Sequence, residues 1–262
     1  MSERIVIKIG TGVLTRDAGI GIDEPIVARL ADTLATLAAS GHEIILVSSG
    51  AVGTALSELA IDTRPTDVAE LQSLAAIGQA RLMQIYNKHL GTHGLTAGQM
   101  LLTYSDLESD GRRERVMRTL EALVARPNVI PIINENDTVA VEELRYGDND
   151  TLSAVIATLG HADKLVLLTS VDGLLATGPN GESSTIEEIS DFTAALSHVK
   201  DEKGRLSVGG MASKLDAARR AVENGVETWI ANGKRCQNLH DMLYGNDKRR
   251  TRITPTPPPP KS

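Results

Sequence analysis

Short apolar runs alternate with helical stretches along nearly the whole chain, and this alternation constrains the fold more than any single residue does. Arg4–Ile9, Glu43–Val47, Leu95–Leu102, Val129–Ile133, Lys164–Thr169 and Glu227–Ala231 each read as a strand, rich in aliphatic and β-branched side chains, with a short one at Thr185–Ile189. Between them, apolar residues recur at helical spacing. Ile26, Leu30, Leu34 and Leu37 form one such stripe, capped by Asp23 and closed by Gly41. Leu71, Leu74, Ala75, Leu82 and Ile85 form another within 68–92, where Gly78 permits close packing. A Ser105/Glu108 capping box opens a further helix that Pro127 ends. Leu152, Val155, Ile156 and Leu159 run to Gly160, and Met211, Leu215, Ala218 and Val222 run to Gly225. Strands that alternate with helices build βαβ units, which leave a mainly parallel sheet with helices on both sides. The expected fold is therefore an α/β, αβα sandwich with a central mainly parallel sheet. Aromatic residues make up only 2% of the 262 residues, so the core must be Leu, Ile, Val and Ala, which suits such a sheet.

The remaining composition narrows the partners. A net charge of −7 speaks against a nucleic-acid surface. The single cysteine, Cys236, excludes an internal disulfide framework and fits a reducing compartment. No apolar run reaches membrane-spanning length and the start, MSERIVIKIG, lacks a signal-peptide pattern, so a cytoplasmic protein is expected. The metalloprotease, CxxC, G-x-S-x-G and EF-hand templates are all missing, and the six histidines show no ligand spacing. One domain over 1–246 is expected, in two lobes of about 1–160 and 161–246. Residues 247–262, basic and then proline-rich with half of the ten prolines, are expected to be disordered.

Ligands of open parallel sheets sit at the C-terminal ends of the strands, at a switch point. Several unusual features fall at that edge. Lys8 lies near the end of a core strand, where an ammonium group needs a partner, and Gly10 and Gly12 follow it. The second strand runs into Ser48-Ser49-Gly50-Ala51, a turn whose N–H groups could receive an anion at a helix start. Asn134-Glu135-Asn136-Asp137 and Gly147-Asp148-Asn149-Asp150 flank a strand end and a helix start. Asn and Asp are ordinary cap and turn residues, but two such clusters so close together read as a polar pocket for a ligand with an amino group. Val208-Gly209-Gly210-Met211-Ala212-Ser213-Lys214 is a second glycine-rich helix entry, and Lys214 sits in the first turn, where the helix dipole disfavours a cation unless an anion is bound. Two lysines from opposite ends of the chain around one polar pocket suit phosphoryl transfer between two anions. A carboxylate acceptor, with a pKa near ~4.3, needs no general base at neutral pH. Asp150 would then hold the lysines in place.

These segments resemble the amino-acid kinase family. The resemblance is carried by VIKIGTGVLT (Val6–Thr15), SSGAVG (Ser48–Gly53), AAIGQARLMQIY (Ala75–Tyr86), GQMLLT (Gly98–Thr103), INENDTVA (Ile133–Ala140), GDNDTLSA (Gly147–Ala154), ADKLVLLTSVDGL (Ala162–Leu174) and GGMASKLDAA (Gly209–Ala218). The INEND and GDND segments point to the members that phosphorylate glutamate. The resemblance implies the carbamate kinase-like fold and transfer from ATP, with Mg²⁺ on its phosphates, to the side-chain carboxylate of L-glutamate, the first step of proline biosynthesis. It implies that Lys8 and Lys214 stabilise the phosphoryl group, that Gly10 and Gly50 donate N–H bonds to it, and that Asp150 organises the lysines. Ser49, Asn134, Asp137 and Asn149 would hold glutamate. Lys8, Thr169, Ser170, Val208, Gly209, Gly210, Met211, Ala212, Ser213 and Lys214 would contact the nucleotide. It further implies a homo-oligomer (dimer or tetramer), feedback inhibition by proline, and no nucleic-acid or membrane partner. Many members carry a C-terminal PUA domain, which is not expected here. The chain departs from the family pattern at Ser170, where an aspartate is typical, at Leu175, where a tyrosine is typical, and at Ser207-Val208, where Gly-Thr is usual. Two alternatives stay open: another enzyme of this fold, acting on aspartate or a nucleoside monophosphate, and a non-catalytic amino-acid sensor. Retention of both lysines argues against the sensor.

Overall fold

The computed structural model describes residues 2–16, 19–139, 149–177, 183–190, 192 and 210–255. The elements run β1 (Arg4–Ile9), α1 (Thr11–Leu14), α2 (Glu24–Ala39), β2 (Glu43–Ser48), α3 (Ala51–Glu58), α4 (Val68–Gly91), β3 (Thr96–Leu102), α5 (Tyr104–Glu108), α6 (Asp110–Val124), β4 (Val129–Glu135) and α7 (Asn149–Leu159). They continue with β5 (Lys164–Thr169), β6 (Leu175–Thr177), β7 (Ser183–Thr185), β8 (Glu188–Ile189), α8 (Gly210–Glu223), β9 (Glu227–Asn232), a 3₁₀ stretch at Gly233–Asn238, α9 (Leu239–Tyr244) and β10 (Arg250–Ile253). Among the described residues the main sheet has the order β3-β4-β2-β1-β5-β9-β10-β8. Every pairing from β3 to β9 is parallel, and β10 runs antiparallel to β9. The small β6–β7 hairpin lies outside it.

The central strand β1 shows how the sequence sorts its side chains. Successive residues of a strand face opposite sides. Ile5, Ile7 and Ile9 join one core with Leu30, Leu34 and Leu37 of α2 and Leu82 and Ile85 of α4. Val6 joins the opposite core with Leu152 and Ile156 of α7 and Leu215, Ala218 and Val222 of α8. Lys8 has the same parity as Val6, so its side chain rises among α7 and α8 at the C-terminal end of the strand.

Two expectations are corrected. Ser105/Glu108 does not open the helix that Pro127 ends: that helix is α6, which starts at Asp110 after Ser109, and the capping box is Thr103/Asp106 on the separate short α5, where the Thr103 backbone N–H donates to Asp106 Oδ2 at 2.8 Å. The tail expected to be disordered from 247 contains β10 in the main sheet, with Thr251 and Ile253 buried against it. Alternation explains the difference. Arg250 and Arg252 point the other way and lay their guanidinium groups over the Trp229 ring, at 4.9 and 5.5 Å from its centroid. Residues 256–262 lie outside the described residues.

Helices α3 and α4 approach so closely that a Cβ at Gly78 would lie 1.8 Å from the Ala51 carbonyl oxygen. That oxygen belongs to the first residue of α3 and cannot move without dragging the Ser49–Gly50 turn. We expect Gly78→Ala to cost about 1–3 kcal/mol as overpacking, a drop of roughly 5 °C in Tm for a chain of this length. Scanning calorimetry checks it.

Candidate active site

Lys8, Asp150 and Lys214 meet at the C-terminal edge of β1. Asp150 opens α7 with only 1% of its side chain exposed, and its two oxygens are shared out. Lys8 Nζ lies 2.7 Å from Oδ1, and Lys214 Nζ donates to Oδ2 at 3.0 Å. The Ser213 hydroxyl also donates to Oδ2, at 2.8 Å. Burial would push the Asp150 carboxyl up, but the two ammonium groups outweigh it and hold the carboxyl below the ordinary aspartate range. The three groups carry a net charge of about +1 in a low-dielectric setting, which favours an anion.

Gly10 follows directly. A Cβ there would sit 3.1 Å from Lys8 Nζ, so the missing side chain keeps one side of the ammonium group open. Gly50 takes φ +103°, a left-handed conformation that favours glycine, and turns the chain from β2 into α3.

A second cluster adjoins the first. Asn149, next to Asp150, extends Nδ2 towards the Ser48 carbonyl (2.9 Å), the Ser49 hydroxyl (2.8 Å) and Asn134 Oδ1 (2.9 Å). The ends of β2 and β4 and the start of α7 are thereby joined through amide and hydroxyl groups. Asp137 is half-buried on the turn after β4. Thr169 is buried at the end of β5, and Ser170 after it is exposed. Met211, Ala212, Ser213 and Lys214 lie in the first turns of α8. Val208 and Gly209 lie outside the described residues, as do 140–148. Leu175 is 41% exposed on β6.

The sequence reading missed two side chains that stand behind these clusters. Gln79 accepts a hydrogen bond from Asn134 Nδ2 at 2.9 Å, and the Tyr86 hydroxyl lies 2.8 Å from the Ser48 hydroxyl. Both sit on the buried face of α4, where a glutamine is out of place, and that anomaly was the available signal.

A parallel sheet whose C-terminal edge gathers two lysines on one buried carboxylate, beside an amide-lined recess, is the layout of a phosphate-handling enzyme. The chain belongs to the amino acid kinase family, whose profile matches residues 3–232. Within it the chain stands among the glutamate 5-kinases. It is 44% identical to "Glutamate 5-kinase" of Chromohalobacter salexigens over 93% of this chain and 65% of that one. It is 43% identical to "Glutamate 5-kinase" of Enterococcus faecalis over 94% of this chain and 93% of that one. Among solved structures, the carbamate kinase of Giardia lamblia bound to AMP-PNP aligns over 97% of this chain and 98% of its own, at TM-score 0.68 and 17% identity. UMP kinase of Ureaplasma parvum aligns over 97% and 99%, at TM-score 0.65 and 17% identity. These two share the fold. No described helix is long and apolar enough to cross a membrane.

Proposed function

We propose that the chain transfers the γ-phosphoryl group of ATP to the side-chain carboxylate of L-glutamate, giving L-glutamyl 5-phosphate. The observation that carries this reading is the bridge Lys8–Asp150–Lys214, which sets two ammonium groups on one carboxylate beside the Ser49–Asn134–Asn149 cluster. Two unit charges ~4 Å apart at an effective dielectric of ~20 repel by roughly 4 kcal/mol. A carboxylate and a triphosphate must overcome such repulsion to react, and one ammonium group on each side of the moving phosphoryl group offsets it. The acceptor is ionised at neutral pH and supplies its own nucleophile, so the site needs no base. Asp150 is a weaker base than an ordinary aspartate and serves to hold the lysines apart and oriented.

In this reading Gly10 and Gly50 donate backbone N–H groups to the phosphoryl oxygens. Ser49, Asn134, Asp137 and Asn149 hold glutamate, in a lobe of about 1–160. Lys8, Thr169, Ser170 and residues 208–214 face the nucleotide, with the second lobe over about 161–246. Among the described residues no group of three His, Cys, Asp or Glu side chains could hold a metal ion, and Asp150 is engaged by two lysines. The described side chains therefore do not fit a protein-held Mg²⁺, and the ion expected with ATP would travel on its phosphates. The same reading carries a cytoplasmic homo-oligomer inhibited by proline. Light scattering and a proline titration check these two properties.

The direct test is ADP release across a panel of amino acids, with hydroxylamine trapping of the acyl phosphate. Glutamate should give hydroxamate and aspartate should not. Equal trapping from aspartate, or turnover only with a nucleoside monophosphate, would move the chain to another branch of the family.

A further inference from the structure

We propose that Gln79 and Tyr86 of α4 are positioning residues for glutamate, acting through Asn134 and Ser48; this rests on the reading of the site as a glutamate pocket. The hydrogen bonds define a directed relay. Backbone groups fix its inner end, because the Ser48 carbonyl can only accept and the Glu135 N–H can only donate. Asn149 must therefore turn Nδ2 to Ser48, and Asn134 must turn Oδ1 to Glu135 N–H, at 2.9 Å in each case. Asn134 Oδ1 also receives Asn149 Nδ2, which leaves Asn134 Nδ2 facing α4. There Gln79 Oε1 accepts from it at 2.9 Å, and Gln79 Nε2 passes a donor on to Gln99 Oε1 at 3.1 Å.

Each amide gives its donor outward, from Asn149 through Asn134 and Gln79 to Gln99. The inner end of the relay is therefore a carbonyl. Asn149 Oδ1 is buried and has no hydrogen-bond partner among the described residues. A buried carbonyl oxygen is costly until a donor reaches it, and the ammonium group of an amino acid is such a donor. Gln79 satisfies the end that this polarity turns towards α4: without its acceptor, Asn134 Nδ2 is left buried and unpaired, and Asn134 can keep its Oδ1 contacts only at that cost. Tyr86 acts beside it, seven positions along the same helix face. Its hydroxyl bonds Ser48 Oγ, which lies 3.1 Å from the Ser49 carbonyl, so the turn that carries Ser49 and Gly50 is held from below. Burial keeps the Tyr86 phenol protonated far above neutral pH.

The test compares Gln79→Met, Gln79→Glu and Tyr86→Phe with the parent chain in steady-state ADP release. Methionine matches the length of glutamine but accepts no strong hydrogen bond. Glutamate keeps the acceptor for Asn134, and Gln99 can rotate its amide to donate in return. Gln79→Met should raise KM for glutamate about tenfold, the value of one lost hydrogen bond, with kcat and KM for ATP nearly unchanged. Gln79→Glu should keep KM for glutamate within about threefold, and Tyr86→Phe should raise it about threefold. A purely packing role predicts the reverse order, with methionine tolerated and the buried carboxylate harmful. Unchanged KM in Gln79→Met, or parallel losses in KM, kcat and Tm for all variants, overturns the inference. If Gln79→Met does not fold, Tyr86→Phe decides, because it removes one oxygen and keeps the ring. Absence of glutamate turnover in the parent chain would instead overturn the proposed function.

Discussion

Lys8→Met and Lys214→Met should each lower kcat by roughly 10²–10³, a loss of ~2.7–4 kcal/mol of transition-state stabilisation, while glutamate binding survives within about threefold. The split follows from where the charges lie. The groups around Asn149 belong to β2 and the turn after it, β4 and α7, and none of these bonds passes through either lysine. The lysines act on the charge that develops between acceptor and triphosphate, so they matter most in the transition state. Isothermal titration with glutamate, beside steady-state ADP release, separates the two effects. Near-normal turnover in both variants would remove the mechanism. A loss of glutamate affinity equal to the loss of turnover would show that the lysines hold the substrate rather than the phosphoryl group.

Much of this site was legible in the sequence because its residues break local rules. Lys8 is a cation on an otherwise aliphatic strand, Lys214 is a cation where a helix dipole opposes it, Asn134 ends a strong apolar run, and Asn149 lies in a second Asn/Asp cluster close by in sequence. A residue that pays a local cost asks for a distant partner, and Asp150 is the partner of both lysines. Gln79 and Tyr86 were missed because α4 reads well as an amphipathic helix without them; their partners come from β2 and β4, and periodicity carries no information about those. The strand β10 was missed for a related reason. Arg250 and Arg252 look like a solvated basic run until Trp229 is placed beneath them, and a tryptophan remote in sequence cannot be placed by pattern alone. The departures at Ser170 and Leu175 fall at exposed positions beyond the end of β5, so they leave the core undisturbed.

Asp150→Asn should be the most damaging single change, because it removes one charge and strands two. Lys8 is 4% exposed, and its ammonium group would face Lys214 across a neutral amide. Breaking a buried ionic group by removing one partner costs about 3–5 kcal/mol, or roughly 10 °C in Tm at this chain length. Turnover should fall by more than in either lysine variant, since both ammonium groups lose their orientation together. The pH dependence follows from the direction of the shift. The Asp150 carboxyl is held below its ordinary value of 3.8 in the folded chain, so its contribution is fully present above the unfolded pKa and is lost as pH falls through the folded one. The stability gap between parent and Asp150→Asn should therefore be constant near neutrality and close only at acidity below the ordinary aspartate range, as denaturant titrations at stepped pH would read. Adding Lys214→Met to Asp150→Asn removes one of the two stranded charges and should recover part of the lost Tm, without recovering turnover. Additive losses in the double variant would mean that the three groups do not act as one unit, and the bridge would then be packing rather than the frame of the active site.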